Sequence, residues 1–422
     1  MAAPNMQMEE RQFNLVKYIL LAAIGSIMFL LPYARLYFYD QMLDYVGITP
    51  IQLGTVLLFY GITSTIGTFL GGIPADKYSA KWLMVISIFA TALGGVLMLA
   101  SPGYYMFMAI YILWGLSITF TFNAAFFKAI RYAGSPKSQG KLFGSANGLG
   151  FMGGGLLSML GVAVFSWFSE EGTNNGFVAV IEFFILVHLV VGICVILFWK
   201  KDQPLPDEEK WRLSDSLIAL KHPVTWYIGF TIYFVYAMRR CLDVTTPYMA
   251  QVMGIDDSSA AFLGTLRELA FPLLGGMLAG LLIDKSPHKI RICQIFIGLS
   301  GLAFVGMYFV PIYGTFWHTV FFIALGAALT LQSGPYLTAY SLLEVAKVPQ
   351  KITGCIIGVS VSIYYLPDIS INYLTNYMLE VYGYEHGSQY IFLIAAAHAV
   401  MAIILYSLFN RYINRLQAKQ RV

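Results

Sequence analysis

Long apolar runs, separated by short polar stretches, repeat along the chain near 14–40, 50–72, 82–100, 106–130, 142–165, 178–199, 225–250, 259–283, 290–310, 316–340, 353–374 and 389–410. Each is long enough to cross ~30 Å of hydrocarbon, which takes ~20 residues of helix. Backbone groups in lipid must bond within their own segment, so these runs are expected to be helices, and the strict alternation of a membrane barrel is not seen. The pattern predicts an all-α membrane protein with twelve transmembrane helices. Glycine-rich stretches such as FMGGGLLSMLG suit that setting, because small residues let membrane helices approach closely.

Composition agrees: 58% of the 422 residues are hydrophobic and 11% are charged. The placement of charge adds direction. All but four of the 26 lysines and arginines fall at the ends or in the loops of one side, from Arg11 and Lys17 through Lys77, Lys128, Lys200 and Lys289 to Arg411 and Arg421. The loops of the other side carry acids instead, including Glu170, Glu171, Asp256, Asp257, Glu380 and Glu385. Cytoplasmic loops hold the basic excess, so both termini are expected in the cytoplasm, and the chain in the cell inner membrane as a multi-pass protein. The polar start reads as a cytoplasmic lead-in rather than a cleaved signal. A net charge of +4 then reflects basic loops against an anionic leaflet and calls for no nucleic acid. Four scattered cysteines have neither metal nor redox spacing and read as packing residues.

The pattern is duplicated. GGIPADKYSAK closes the second run and AGLLIDKSPHK the eighth, pairing Gly72, Asp76, Lys77 and Lys81 with Gly280, Asp284, Lys285 and Lys289. YAR at Tyr33 has a counterpart in YAMR at Tyr236. This predicts a six-helix bundle over 1–199, a cytoplasmic linker over 200–224 and a second, pseudo-symmetric bundle over 225–422.

Two such loops, at the second-to-third and eighth-to-ninth connections, resemble the signature of the major facilitator superfamily. Ser79, Ala80 and Pro287 depart from its usual residues. The resemblance implies a gating role for Gly72, Asp76, Lys77, Lys81, Gly280, Asp284 and Lys285, with the basic residues pairing acids on adjacent helices. Topology setting alone is the simpler use of the lysines.

Arg35, Arg239, Arg240 and Arg267 are the four exceptions, each inside an apolar run. An arginine at mid-bilayer costs ~2.5–3.5 kcal/mol even on insertion scales, so these side chains are expected to face partners or a cavity. A guanidinium fork meets phosphate or carboxylate bidentately. YARLYF, VYAMRRCLD and ANGLGFMGGGL are similar to segments of the organophosphate:phosphate antiporters, the glycerol-phosphate and hexose-phosphate transporter branch. That likeness implies that Arg35 and Arg239 clamp an anion and that Asn147 faces the cavity. Gly150 and Leu36 stand where the branch carries histidine and lysine, and YLPD, with Asp368, looks more like its less characterised sugar-phosphate-transporter relatives.

Further candidate substrate contacts are Tyr33, Tyr39, Tyr236, Asn123, Gln332, Tyr336 and Tyr364; core packing is the plainer role for any one of them. The plainer alternative to the clamp is that Arg239 is neutralised by Asp243, four residues on, and serves packing or gating; Arg240 could use Asp243 equally. Arg267 and Glu268 are adjacent and so are expected to pair with other spans, Asp243 and Asp368 being available. Asp243, Glu268 and Asp368 are the proton-coupling candidates. Glu182 and His188 read as satisfied core or helix-end groups.

These features predict a secondary active transporter of a small organic anion, such as a sugar phosphate or sugar acid, working by alternating access through anion exchange or proton symport. A transporter-like membrane sensor for such a ligand is the alternative. No phosphate-binding loop, nucleophile–base pair or metal cluster is apparent, so neither an enzyme nor a cofactor is expected, and the chain is expected to act as a monomer in the bilayer.

Overall fold

A computed structural model describes residues 15–100, 103–131, 139–199, 218–283, 285–339, 342–346 and 350–419. They form helices and connecting turns, with no strand among the described residues. Among the described residues, ten helical segments are long and apolar enough to cross a membrane, including Pro50–Lys77, Asn175–Phe198 and Asp257–Ile283. The last of the ten, Ile356–Arg415, runs for 60 residues. At 1.5 Å per residue it would be ~90 Å long, three bilayer cores, if it were one straight helix. It is not: Tyr365 and Leu366 interrupt it before Pro367, and Gly383 has φ 75° and ψ 171°, outside the helical region.

The chain divides into two compact units, one of residues 1–48 with 62–211 and the other of 49–61 with 212–422. In the first unit, Gly67 brings two helices to close range. A Cβ there would lie 2.1 Å from Thr119 Oγ1 and 3.0 Å from the Phe120 nitrogen. Trp114, fully buried, fixes another pair by donating Nε1–H to the Thr91 carbonyl at 3.0 Å. Within the second unit, residues 49–61 lie along the segment that follows Asp368, and the Ile51 N–H donates to Glu380 Oε2 at 2.8 Å.

Long helices break where the polar side chains sit. The first apolar run, expected as one helix, is Leu15–Ile27, Leu30–Tyr33, a 3₁₀ turn Ala34–Leu36 and then Tyr39–Val46. The seventh is Pro223–Cys241, a 3₁₀ turn Leu242–Val244 and Thr245–Gln251. Proline at position 32 or 247 withholds a backbone donor, and tighter turns take up the mismatch. Ser117–Asn123 and Ala279–Ile283 are π-helical, the wider variant found in short stretches at functional sites.

The signature loop of the first unit is held locally. Lys81 Nζ donates to the Ile196 and Trp199 carbonyls, both at 2.8 Å, closing the C-terminus of Asn175–Phe198. A cation is favoured there because the last carbonyls of a helix lack intrahelical donors. Lys128 Nζ donates to the Ala75 carbonyl in the same loop. Asp76 is half-buried and Lys77 exposed, and Gly72 opens the short helix Gly72–Lys77. In the second copy Gly280 lies in the π segment and Lys285 is exposed, whereas Asp284 falls outside the described residues.

Candidate functional site

The break after Cys241 creates the charged centre of the second unit. Asp243 lies on the 3₁₀ turn, where residues three apart share a face. Its partner is Arg240, whose Nη1 donates to Asp243 Oδ2 at 3.0 Å, one of the two arginines that the spacing left open. Arg239 turns instead to Glu268, with Nη2 to Oε2 at 2.6 Å.

Arg267 pairs with its own neighbour, Nε to Glu268 Oε1 at 3.2 Å, contrary to the expectation that adjacent helical residues must seek other spans. Long side chains bend back where the backbone alone would separate them. Its Nη1 also donates to the Leu242 carbonyl at 2.6 Å and to Thr245 Oγ1 at 2.7 Å. Arg267 thereby serves the backbone at the 3₁₀ break, a role that explains its complete burial.

Asp368 completes the group. Tyr236 donates its hydroxyl to the carboxylate, 3.1 Å from Oδ1 and 3.2 Å from Oδ2, and Arg240 Nε lies 3.8 Å from Oδ1. The Arg240 guanidinium sits 5.0 Å above the Tyr236 ring, a cation–π contact. Tyr336 stacks on Tyr236 at 5.8 Å and 18°, while Tyr364 and Tyr365 meet Tyr236 edge-on at 5.8 and 5.9 Å. Gln332 is buried on the helix that carries Tyr336, and its Oε1 has no hydrogen-bond partner among the described residues.

Three guanidinium groups and three carboxylates thus form one centre without formal excess charge, as burial demands. Access separates its members. The Arg239 and Glu268 side chains are 17% and 15% exposed, against 3% for Arg240 and 0% for Arg267. The Arg239–Glu268 pair is thus the most exposed of these ion pairs.

Arg35, in the first unit, lies on the 3₁₀ turn and is buried, its guanidinium 5.4 Å from the Tyr33 ring centre. Tyr39 is buried and Tyr33 half-buried. Tyr111, fully buried, donates to the Pro32 carbonyl at 3.1 Å and so supports the broken backbone that holds Arg35. Sequence reasoning did not single out Tyr111. Asn123 is half-buried at the end of the π segment, and the side chain of Asn147 is outside the described set. Gly150 is buried, and a Cβ there would lie 3.3 Å from the Gly25 backbone, a tight approach between the two helices. His188 is buried, with Nδ1 on the Phe184 carbonyl at 2.8 Å, but Glu182 is exposed on the same helix, which sets aside the core half of its expected core or helix-end role.

Broken, apolar helices with charged side chains at their breaks are features of polytopic membrane proteins. The chain belongs to the Major Facilitator Superfamily, whose profile matches residues 16–369. It is 27% identical over 403 residues to the inner membrane protein YihN of Escherichia coli K12, covering 92% of this chain and 93% of that one. It is 24% identical over 264 residues to the membrane sensor protein UhpC of Escherichia coli K12, covering 56% of each. The glycerol-3-phosphate transporter of Bacillus subtilis matches at 22% over 264 residues, 57% of this chain and 58% of that one. Among solved structures, the nucleoside transporter NupG superposes with a TM-score of 0.75 at 12% identity, covering 93% and 99% of the two chains, a likeness of fold. The protein is thus a multi-pass membrane protein of a transporter family.

Proposed function

We propose that the protein is an inner-membrane secondary transporter of a small organic anion, a sugar phosphate or sugar acid, working by alternating access. In this reading twelve spans form two six-helix bundles with both termini in the cytoplasm. The observation that carries it is the Arg239–Glu268 pair, the accessible edge of an otherwise buried ionic centre. An incoming anion takes the Arg239 fork and Glu268 gives it up, keeping Arg267 as its partner at 3.2 Å. The carboxylate is never left bare, so the exchange avoids the cost of an unpaired buried charge. Tyr236, Tyr336 and Tyr364 present rings and hydroxyls to the polar body of the cargo. Arg35 is the anion contact of the first unit. The loop residues Gly72, Asp76, Lys77 and Lys81 hold one closure state.

Uptake of radiolabelled sugar phosphates and sugar acids into proteoliposomes of the purified protein tests the proposal. Saturable uptake, lost in Arg239→Lys, is expected. The likeness to UhpC supports a second reading, a membrane sensor for the same class of ligand. Ligand binding with neither uptake nor counterflow would favour that reading and refute transport.

A further inference from the structure

The helix Asn175–Phe198 presents one face outward. Leu186, Val190, Ile193 and Leu197, at helical spacing, are all exposed, as residues in contact with acyl chains are. Glu182 falls on this stripe one turn before Leu186 and is itself exposed. It lies seven residues beyond Asn175, or ~10 Å along the axis, deeper than a two-methylene side chain reaches back to the interface.

It also lines a groove of about 470 Å³ between this helix and Gln139–Phe168, with Phe168, Asn175, Val178, Phe183 and Leu186. Among the described residues no cation pairs with Glu182, and from residue 147 to 199 the sequence contains neither lysine nor arginine. Glu170 and Glu171 add further negative charge at the outer end, where Trp167 and Phe168 are exposed in the manner of an interfacial belt. An ionised carboxylate in this position needs a cation that the protein does not supply.

We propose that the groove binds the head of a membrane lipid carrying a primary ammonium group, with the ammonium on Glu182 and the acyl chains along Leu186, Val190 and Ile193. A lipid is the fitting occupant because the groove opens onto the lipid-facing stripe and the leaflet supplies head and tails in that order. A primary ammonium donates N–H bonds to the carboxylate; a quaternary choline head has none to give, so the site discriminates between them. The inference is independent of the identity of the cargo.

The test is lipid retention by the full-length protein in nanodiscs made from equal parts phosphatidylethanolamine and phosphatidylcholine. After transfer to detergent, native mass spectrometry reads which lipids stay bound. Wild type should retain the ethanolamine lipid about tenfold over the choline lipid, and Glu182→Gln should retain the two equally. Equal retention by wild type overturns the proposal without reference to any variant. So does unchanged preference in Glu182→Gln, or a shift of that variant from dimer to monomer, which would make the face a contact between copies of the chain.

Discussion

If cargo displaces Glu268 from Arg239 as proposed, replacing Glu268 by glutamine removes the competing carboxylate while keeping shape and an acceptor oxygen. The Arg239–Glu268 bond, 2.6 Å long, is a charge-assisted contact at 17% and 15% side-chain exposure. Hydrogen bonds to charged groups are worth ~1.5–3 kcal/mol. Solvent access at the rim takes the lower end of that range, so release of Arg239 should tighten anion binding by roughly tenfold. The same change deprives Arg267 of its carboxylate, although its bonds to the Leu242 carbonyl and Thr245 remain. Stability should therefore fall by about 1–3 kcal/mol, less than the loss of a wholly buried pair. Isothermal titration of the purified variant with the transported anion gives affinity, and counterflow in proteoliposomes gives turnover. Tighter binding with slower release is expected. Unchanged affinity in a well-inserted protein would refute competition at Arg239 and leave the pair as a static support.

Arg239→Lys keeps charge but loses the fork, and should cut uptake at least tenfold with near-normal insertion; Arg240→Lys, at a side chain tied to Asp243 and 3.8 Å from Asp368, should show chiefly as a lower melting temperature. Gly67→Ala should cost about 1–3 kcal/mol by overpacking against Thr119, whereas Gly148→Ala, with nothing within 4 Å, should be neutral or stabilising; melting in detergent separates them. Asp256→Ala removes the cap that accepts the Ser259 N–H at 2.9 Å and should cost ~1 kcal/mol. Those Ser259 bonds hold the Asp256 carboxyl below the ordinary aspartate range, so the stability it contributes is present above the unfolded-state pKa and lost as pH falls through the lower folded value. The melting difference between Asp256→Ala and wild type should accordingly be full near neutral pH and vanish in strong acid.

Hydrophobic periodicity made the helical class and most spans legible, because length and apolarity alone decide what crosses a bilayer. It made the four intramembrane arginines conspicuous for the same reason. Their partners were not legible, since partner choice depends on helical phase, and phase changes wherever an α-helix gives way to a 3₁₀ or π turn. Spacing left Asp243 to either Arg239 or Arg240, because residues three and four apart both meet on a helix; the structure pairs it with Arg240, across the start of the 3₁₀ turn. The exposure of Glu182 was not legible for a different reason. Sequence gives the spacing of a carboxylate from its neighbours, but whether its face meets another helix or the lipid depends on packing.

The two arginine-bearing breaks argue for a common physical origin. YAR and YAMRR each end a helical segment in a 3₁₀ turn, with Pro32 three residues before Arg35 and Pro247 seven residues after Arg240. A break frees backbone carbonyls in a region without water, and those carbonyls must be satisfied within the protein. In the second unit Arg267 does so at Leu242, which accounts for one of the three arginines and leaves Arg239 and Arg240 for the carboxylates. In the first unit the broken backbone is supported by a neutral hydroxyl instead, Tyr111 on the Pro32 carbonyl. Exchanging that donor separates support from charge. Tyr111→Phe removes the bond while keeping the ring packed against Trp114 at 4.9 Å, and should cost about 1–3 kcal/mol of stability for the carbonyl left without a donor. If Arg35 recognises the anion through the geometry this turn imposes, the variant should also weaken ligand binding severalfold while the charge on Arg35 is unchanged. A fall in stability alone, with binding intact, would refute that link and make the first break a matter of packing.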